Sequence, residues 1–294
     1  MSQVAVFKSS QRKQCTEMRL VLYAAGMPAE LSAHSKEWLL LVDESLVEAA
    51  TAELNAYRQD RADETAVERR SDQRPPGGTL EGIFGYAVVV ILCASASWYS
   101  GLGQHADAVG HLHVGSVAAG QWWRTVTALT LHIDFLHLCS NLVFGTVFGY
   151  LAGQLLGGGV AWLLILLSGA GGNFVNTLVR DASHQSVGAS TAVFAALGIV
   201  VAYALRPSLR AGQRTMQRWS PLIGGVILLS FLGIGGERTD VTAHLTGFMS
   251  GLVGGWSSSY LPAHWLRNTI LQWTAGLSAI SILALAWIAG FIYG

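Results

Sequence analysis

LHLCSNLVFGTVFGYLAGQLL at Leu136–Leu156, three glycines, then VAWLLILLSGAGGNFVNTL at Val160–Leu178 decide the fold class. Neither run contains an Asp, Glu, Lys or Arg. Each is long enough for a helix to cross a bilayer core, which takes about 20 mostly apolar residues. Two such helices joined by a short turn imply a polytopic membrane protein.

Working outward, further candidate spans run from about Gly82 to Ser100, Gly188 to Leu205, Pro221 to Ile234, Thr242 to Tyr260 and Asn268 to Tyr293. The fold class expected is therefore an all-α polytopic membrane protein of seven spans. Glycine within these spans fits, because small residues let membrane helices approach closely. The charge distribution agrees. Residues 1–77 hold 10 basic and 12 acidic side chains, and residues 78–294 hold 8 and 6. The long apolar part cannot be a soluble globule. The formal net charge of zero excludes a basic nucleic-acid binder. Cys15, Cys93 and Cys139 are too few and too scattered for a disulfide framework or a Cys-based zinc site.

The first 61 residues read as a small α+β domain ordered β-α-β-β-α. Val4–Lys8 alternates as a strand, Ser10–Ala25 has helical spacing, and Ala29–Ala33 and Glu37–Val42 read as strands. Leu39, Leu40 and Leu41 form an apolar run expected to be buried. Ser45 with Glu48 has the spacing of a capping box opening a second helix. Residues 62–81 read as a linker, with a turn at Pro75-Pro76-Gly77-Gly78. Met1–Gln11 lacks the apolar stretch of a signal peptide. Arg206, Arg210, Arg214 and Arg218 follow the fourth span and mark a cytoplasmic loop. By parity the N-terminal domain is cytoplasmic too, and the long segment Gly101–Phe135, with Trp122, Trp123 and Arg124, is on the outer side.

Polar residues within apolar spans need a reason, because lipid solvates them poorly. His137 and Asn141 lie four residues apart, on one face of the second span. Ser190 opens the fourth span and His244 the sixth. The second, fourth and sixth spans all start on the same side, so these four residues share a depth and can converge. A hydroxyl, an imidazole base and two further donors are the components of acyl transfer. Each residue alone has a plainer reading. A membrane serine commonly bonds its own helix backbone, and Gly-x-Ser recurs at Ser257 and Ser278. A histidine in a span can be a structural hydrogen-bonder. Metal binding by His132, His137 and His244, with His111 and His113 nearby, lacks an HExxH pattern and an intramembrane carboxylate. Asp134 precedes the second span. Gly247, Gly251 and Gly255 form a small-residue row on the sixth span that would bring the fourth and sixth helices together, with Phe194 facing the imidazole.

Trp123-Arg124, then His132, His137 and Asn141 as H-x4-H-x3-N, then Gly188-x-Ser190, then Ala243-His244-x-x-Gly247-x-x-x-Gly251 resemble the rhomboid family of intramembrane serine proteases. The N-terminal domain is similar to the cytoplasmic domain of some bacterial rhomboids. The resemblance implies a six-helix core over residues 82–260 and an additional transmembrane helix over 261–294. It implies Ser190 as nucleophile, His244 as base, and His137 and Asn141 as oxyanion donors. His132 would brace the outer loop, and Trp123-Arg124 would anchor it. No cofactor or metal is implied. Where the family pattern is Gly-x-Ser-Gly this chain has Thr191, larger and branched, with a consequence expected for local helix spacing. The partners expected are transmembrane segments of substrates and membrane lipids, with self-association left open. The location expected is the bacterial inner membrane. A protein that binds client helices without cutting them is the alternative reading.

Overall fold

The structure is a computed structural model describing residues 2–34, 37–71, 76–99, 103–210, 215–233 and 240–294, side chains excepted at 62–71, 99, 207–210, 215–218 and 232–233. It divides into two units, Met1–Arg74 and Pro75–Gly294.

The first unit contains β1 (Gln3–Ser9), α1 (Arg12–Ala24), β2 (Glu30–His34), β3 (Glu37–Asp43) and α2 (Val47–Ser71). The sheet is antiparallel in the order β1-β3-β2. Val42 and Leu40 on β3 face Met18 and Leu22 of α1 and Ala50 and Leu54 of α2 in one apolar cluster. Strand alternation puts Leu39 and Leu41 on the other face, where they are only half-buried, so the expected run is buried at Leu40 alone. The expected capping box does not form. Asp43 caps instead, its carboxylate accepting from the Ser45 N–H and hydroxyl. A 3-10 turn, Glu44–Leu46, separates that cap from α2. α2 runs on to Ser71, so most of the stretch read as linker is helical.

The second unit is helical. Its long helices are α3 (Thr79–Tyr99), α7 (Phe135–Leu156), α8 (Gly158–Val179), α9 (Ser190–Arg210), α10 (Thr215–Gly233), α11 (Val241–Ser258) and α13 (Thr269–Tyr293). They form a six-helix core plus one C-terminal helix, as expected. Shorter pieces lie between them: α4 (Gly103–Gly110), β4 (Leu112–His113), α5 (Val114–Ala118), α6 (Arg124–Thr127), β5 (Gln185–Ser186) and α12 (Ala263–Leu266). Among the described residues, α3, α7, α8 and α13 are long and apolar enough to cross a membrane. Among the residues whose side chains are described, α9 and α10 present the apolar stretches Ser190–Arg206 and Trp219–Phe231. α11 has 18 residues and carries Thr242, His244, Thr246 and Ser250. Ile234 and Arg214, and the side chains of Arg210 and Arg218, lie outside the described residues.

Polarity is inverted relative to a soluble protein. Val143, Val147, Phe174, Leu178, Phe231, Ile270 and Ile280 are exposed, whereas Ser168, Asn173, Asn176, Thr191, Thr246 and Gln272 are buried. This is an integral membrane arrangement: lipid solvates the apolar exterior, and interior polar groups find partners inside.

Two devices hold the bundle. The first joins α9 to α11. A Cβ built on Gly247 would lie 2.3 Å from the Thr191 carbonyl, on Gly251 2.0 Å from the Ala195 carbonyl, and on Gly255 2.7 Å from the Ile199 Cα. Each step of four on α11 meets a step of four on α9, so the helices touch backbone to backbone. The second docks α13. Gln272, 8% exposed, accepts from the Val160 N–H at 3.0 Å and donates to the carbonyls of Leu156 and Leu266 at 2.9 and 2.7 Å. It thereby bridges the end of α7 and the start of α8 on either side of the three glycines.

The segment Gly101–Phe135, read as a loop, is a packed layer where described. Trp123 is buried, with Nε1 donating to the Val109 carbonyl. Arg124 is buried and donates to the carbonyls of Ala108 and His111. Trp122 stays exposed.

Neighbouring glycines on α8 should respond oppositely to alanine. A Cβ on Gly172 falls 2.7 Å from the Gly247 Cα, and one on Gly171 meets nothing closer than 3.9 Å. Gly172→Ala should lower stability by about 1–3 kcal/mol through overpacking, with Gly171→Ala near neutral, as read by thermal unfolding in detergent. Gln272→Leu should cost about 1–3 kcal/mol by orphaning buried backbone groups, read the same way.

Candidate functional site

Three helices begin at one place. α7 is capped by Asp134, whose carboxylate accepts the His137 N–H at 2.8 Å. α11 is capped by Asp240, which accepts the Ala243 N–H at 3.1 Å. α9 starts at Ser190 itself, directly after Ala189. The first amides of a helix have no intrahelical acceptor, so the Ser190 N–H lies among donors that the helix leaves open.

These helix starts surround a cavity of about 1040 Å³ lined by His137, Asn141, Ser190, Phe194 and His244 among others. All four sequence-predicted site residues are thus brought together on one cavity wall. The His244 imidazole is buried and packs on the Phe194 ring, with centroids 4.4 Å apart and planes inclined by 36°. Gly188 has φ +130°, a conformation that favours glycine, and a Cβ there would lie 2.6 Å from His137 Nε2 and 3.6 Å from Ser190 Oγ. The His137 ring and the serine hydroxyl therefore flank one backbone point. Asn141 is 5% exposed, and its Nδ2 has no hydrogen-bond partner among the described residues.

Thr191 is 2% exposed. Its methyl stands beside two glycines, 3.0 Å from a Cβ built on Gly172 and 2.9 Å from one built on Gly247. The bulk that the family pattern avoids at this place is accommodated here by glycines on α8 and α11.

Of the other residues weighed, His111 and Asp134 line the same cavity, whereas His132 and Ser278 do not. His132 is buried, and its carbonyl accepts from Trp98 Nε1 at 2.9 Å. Its ring lies edge-on to His137 with centroids 5.2 Å apart. Burial, with the neighbouring His137 adding to it, pushes the His132 imidazole down to about 4. Ser278 Oγ bonds the Thr274 carbonyl, the plain reading of a helical serine. Ser257 and His113 do not line the cavity.

Several residues in contact with the site give no sequence signal. Tyr86 on α3 donates to the Asn141 carbonyl at 2.8 Å and stacks on Trp162 at 4.6 Å. Asn176, Arg180 and His184 gather around Asp240. Burial would raise the Asp240 carboxyl, but hydrogen bonds from His184, Ala243 and Asn176 outweigh it and hold the group below the usual range.

Residues 119–261 match the Rhomboid domain family. The YdcA rhomboid protein of Bacillus subtilis is 31% identical over 157 residues, which cover 53% of this chain and 74% of that protein. Rhomboid-like protein 11, chloroplastic, of Arabidopsis thaliana is 34% identical over 48% of this chain and 54% of its own length. Rhomboid protease GluP of Bacillus subtilis is 29% identical over 60% of this chain and 32% of its own length. The domain match takes in every residue of the cavity wall from His137 to His244 and leaves out the α+β unit and α13. With residues 119–261 matching the domain family and a rhomboid relative 31% identical over 74% of that protein's length, the chain belongs to the rhomboid family.

Proposed function

We propose that this rhomboid is an intramembrane serine endopeptidase cutting transmembrane segments near the outer face, with Ser190 as nucleophile and His244 as general base. The observation that carries this reading is the buried Asn141 Nδ2, a donor without a partner in the cavity that also holds Ser190 and His244. Leaving such a donor unpaired costs about 1–3 kcal/mol. The cost is explained if the acceptor arrives with the substrate.

In the first step Ser190 Oγ bonds to the scissile carbonyl carbon as His244 takes the hydroxyl proton. The carbonyl oxygen becomes an oxyanion held by Asn141 Nδ2, His137 and the Ser190 N–H. Collapse breaks the C–N bond, and His244 returns its proton to the leaving amine. Water then attacks the acyl-serine ester by the same exchange, releasing the acid and restoring Ser190. The packing of Phe194 on the imidazole supports a single ring orientation for these transfers. Asp240 is placed to act on the base only indirectly, because its carboxylate is engaged by His184, Asn176 and the α11 N-terminus. The topology that suits this reading has the α+β unit in the cytoplasm of a bacterial cell and the cavity open to the outer side.

Purified protein in liposomes should cleave a single-span substrate, and Ser190→Ala and His244→Ala should each lower kcat by at least about 10³-fold. Asn141→Ala should lower it about 10²–10³-fold with little change in KM. Cleavage surviving Ser190→Ala would refute the assignment. No cleavage by folded wild-type chain over several substrates would favour a client-binding protein. Substrates carrying Gly or Pro near the cut site should be cleaved faster than helix-favouring variants, since the carbonyl must leave its helix to be attacked.

A further inference from the structure

A His–Asp pair, His184 and Asp240, stands on the cavity wall beside Ser190 and His244, and its place in the chain is informative. His184 lies six residues before Ser190, and Asp240 four before His244. The side chains meet with Nε2 2.7 Å from Oδ2, and they are 17% and 12% exposed. Asn176 Nδ2, fully buried on α8, donates to the same oxygen at 2.9 Å. The other oxygen caps α11 through the Ala243 N–H, and the Asp240 carbonyl accepts the His244 N–H at 3.1 Å.

The far side of the imidazole settles its tautomer. Arg180 Nη2 is 3.2 Å from His184 Nδ1. A guanidinium donates and cannot accept, so Nδ1 is the acceptor and the proton is on Nε2, facing Asp240. The hydrogen bonds run in one direction, from Arg180 through His184 to a carboxylate that its partners keep ionised. The His184 backbone is fixed as well, its N–H donating to the Asp181 carbonyl and its carbonyl accepting the Val114 N–H.

The glycine row leaves a task for this pair. Its contacts with α9 begin at Gly247 and continue to Gly251 and Gly255. His244 lies almost a turn beyond them, at the end of α11.

Building on the Ser190–His244 reading above, we propose that His184 and Asp240 form a positioning clamp, tying the segment that leads into the nucleophile to the segment that leads into the base. Neither touches the reacting atoms in this scheme. They hold the first turn of α11 against the loop before α9, where a displacement of about 1 Å costs on the order of 10²-fold in rate.

The test uses the full-length chain in liposomes, with His184→Ala, His184→Gln, Asp240→Asn and the His184→Ala/Asp240→Asn double variant. The readouts are kcat and KM on a single-span substrate, labelling of Ser190 by a fluorophosphonate, and amide exchange by mass spectrometry. His184→Ala should lower kcat and labelling by about 10–10²-fold with KM little changed. Its exchange should speed up over Val241–Thr246 and not over Gly251–Ser258. His184→Gln, whose amide can donate to Asp240, should recover most of the rate. Asp240→Asn keeps an oxygen for the helix cap and presents an NH₂ to two donors, so it should resemble His184→Ala, and the double variant should be no slower than the slower single. Unchanged kcat and exchange in His184→Ala, glutamine no better than alanine, or losses that multiply in the double variant would each overturn the clamp. A wild-type chain that neither cleaves nor labels refutes the catalytic reading instead, and the exchange measurement then decides the clamp alone. Should His184→Ala fail to fold, His184→Gln against Asp240→Asn decides by the same readouts.

Discussion

The backbone contact between α9 and α11 is the constraint on which the second unit depends. Three glycines on α11 lie against Thr191, Ala195 and Ile199 of α9 with no room for a methyl group between them. Helices in lipid gain little from burying apolar surface against each other, because lipid tails are as apolar as leucine. They associate by close van der Waals packing and internal hydrogen bonds. Removing every side chain from one line of contact maximises the first. The same line sets the geometry at its end, since Ser190 and His244 stand at the starts of the two helices so joined.

The remaining helices are arranged around that pair. Gly172 on α8 approaches the Gly247 backbone and leaves space for the Thr191 methyl, so three helices share one small-residue junction. α7 brings His137 and Asn141 to the same cavity, held from behind by Tyr86 and the Trp162 ring. α13 lies outside the domain match yet is tied to the α7–α8 junction by Gln272, which serves the Leu156 carbonyl and the Val160 N–H. Several buried polar side chains serve a specific backbone group, as Gln272, Thr127 and Asn173 do. Asn141 Nδ2 has no partner among the described residues and differs from the other such groups, among them Trp162 Nε1 and both His132 ring nitrogens, in belonging to a residue that lines the cavity with Ser190 and His244.

Much of this architecture is legible in the sequence, for a physical reason. Lipid demands long apolar helices, and the runs that meet the demand are visible without knowing what they touch. Polar residues inside them are costly, so His137, Asn141, Ser190 and His244 attract notice. The α7 and α8 bounds follow the apolar runs to within two residues. Where the signal is local and weak, the reading fails. Ser45 and Glu48 have capping-box spacing, but Asp43 lies two residues nearer the sheet and takes the cap. The stretch after Arg61 is charged and looks like a linker, yet helix propensity carries α2 to Ser71. Gly101–Phe135 has no long apolar run, so its packed turns and the burial of Trp123 and Arg124 could not be read from periodicity.

Hydrophobic length and glycine spacing in the sequence by themselves determined a polytopic bundle with a close α9–α11 contact, because both are properties of one chain segment at a time. They also determined which residues a membrane would tolerate only for a reason. The tertiary structure alone decided which polar groups meet. His184 and Asp240 are 56 residues apart and carry no mutual spacing rule. Asn176, Arg180, Tyr86 and Gln272 likewise acquire their roles only when separate helices come within hydrogen-bond reach. A hydrogen bond depends on positions to a few tenths of an ångström, and those positions are set by the packing of the whole bundle.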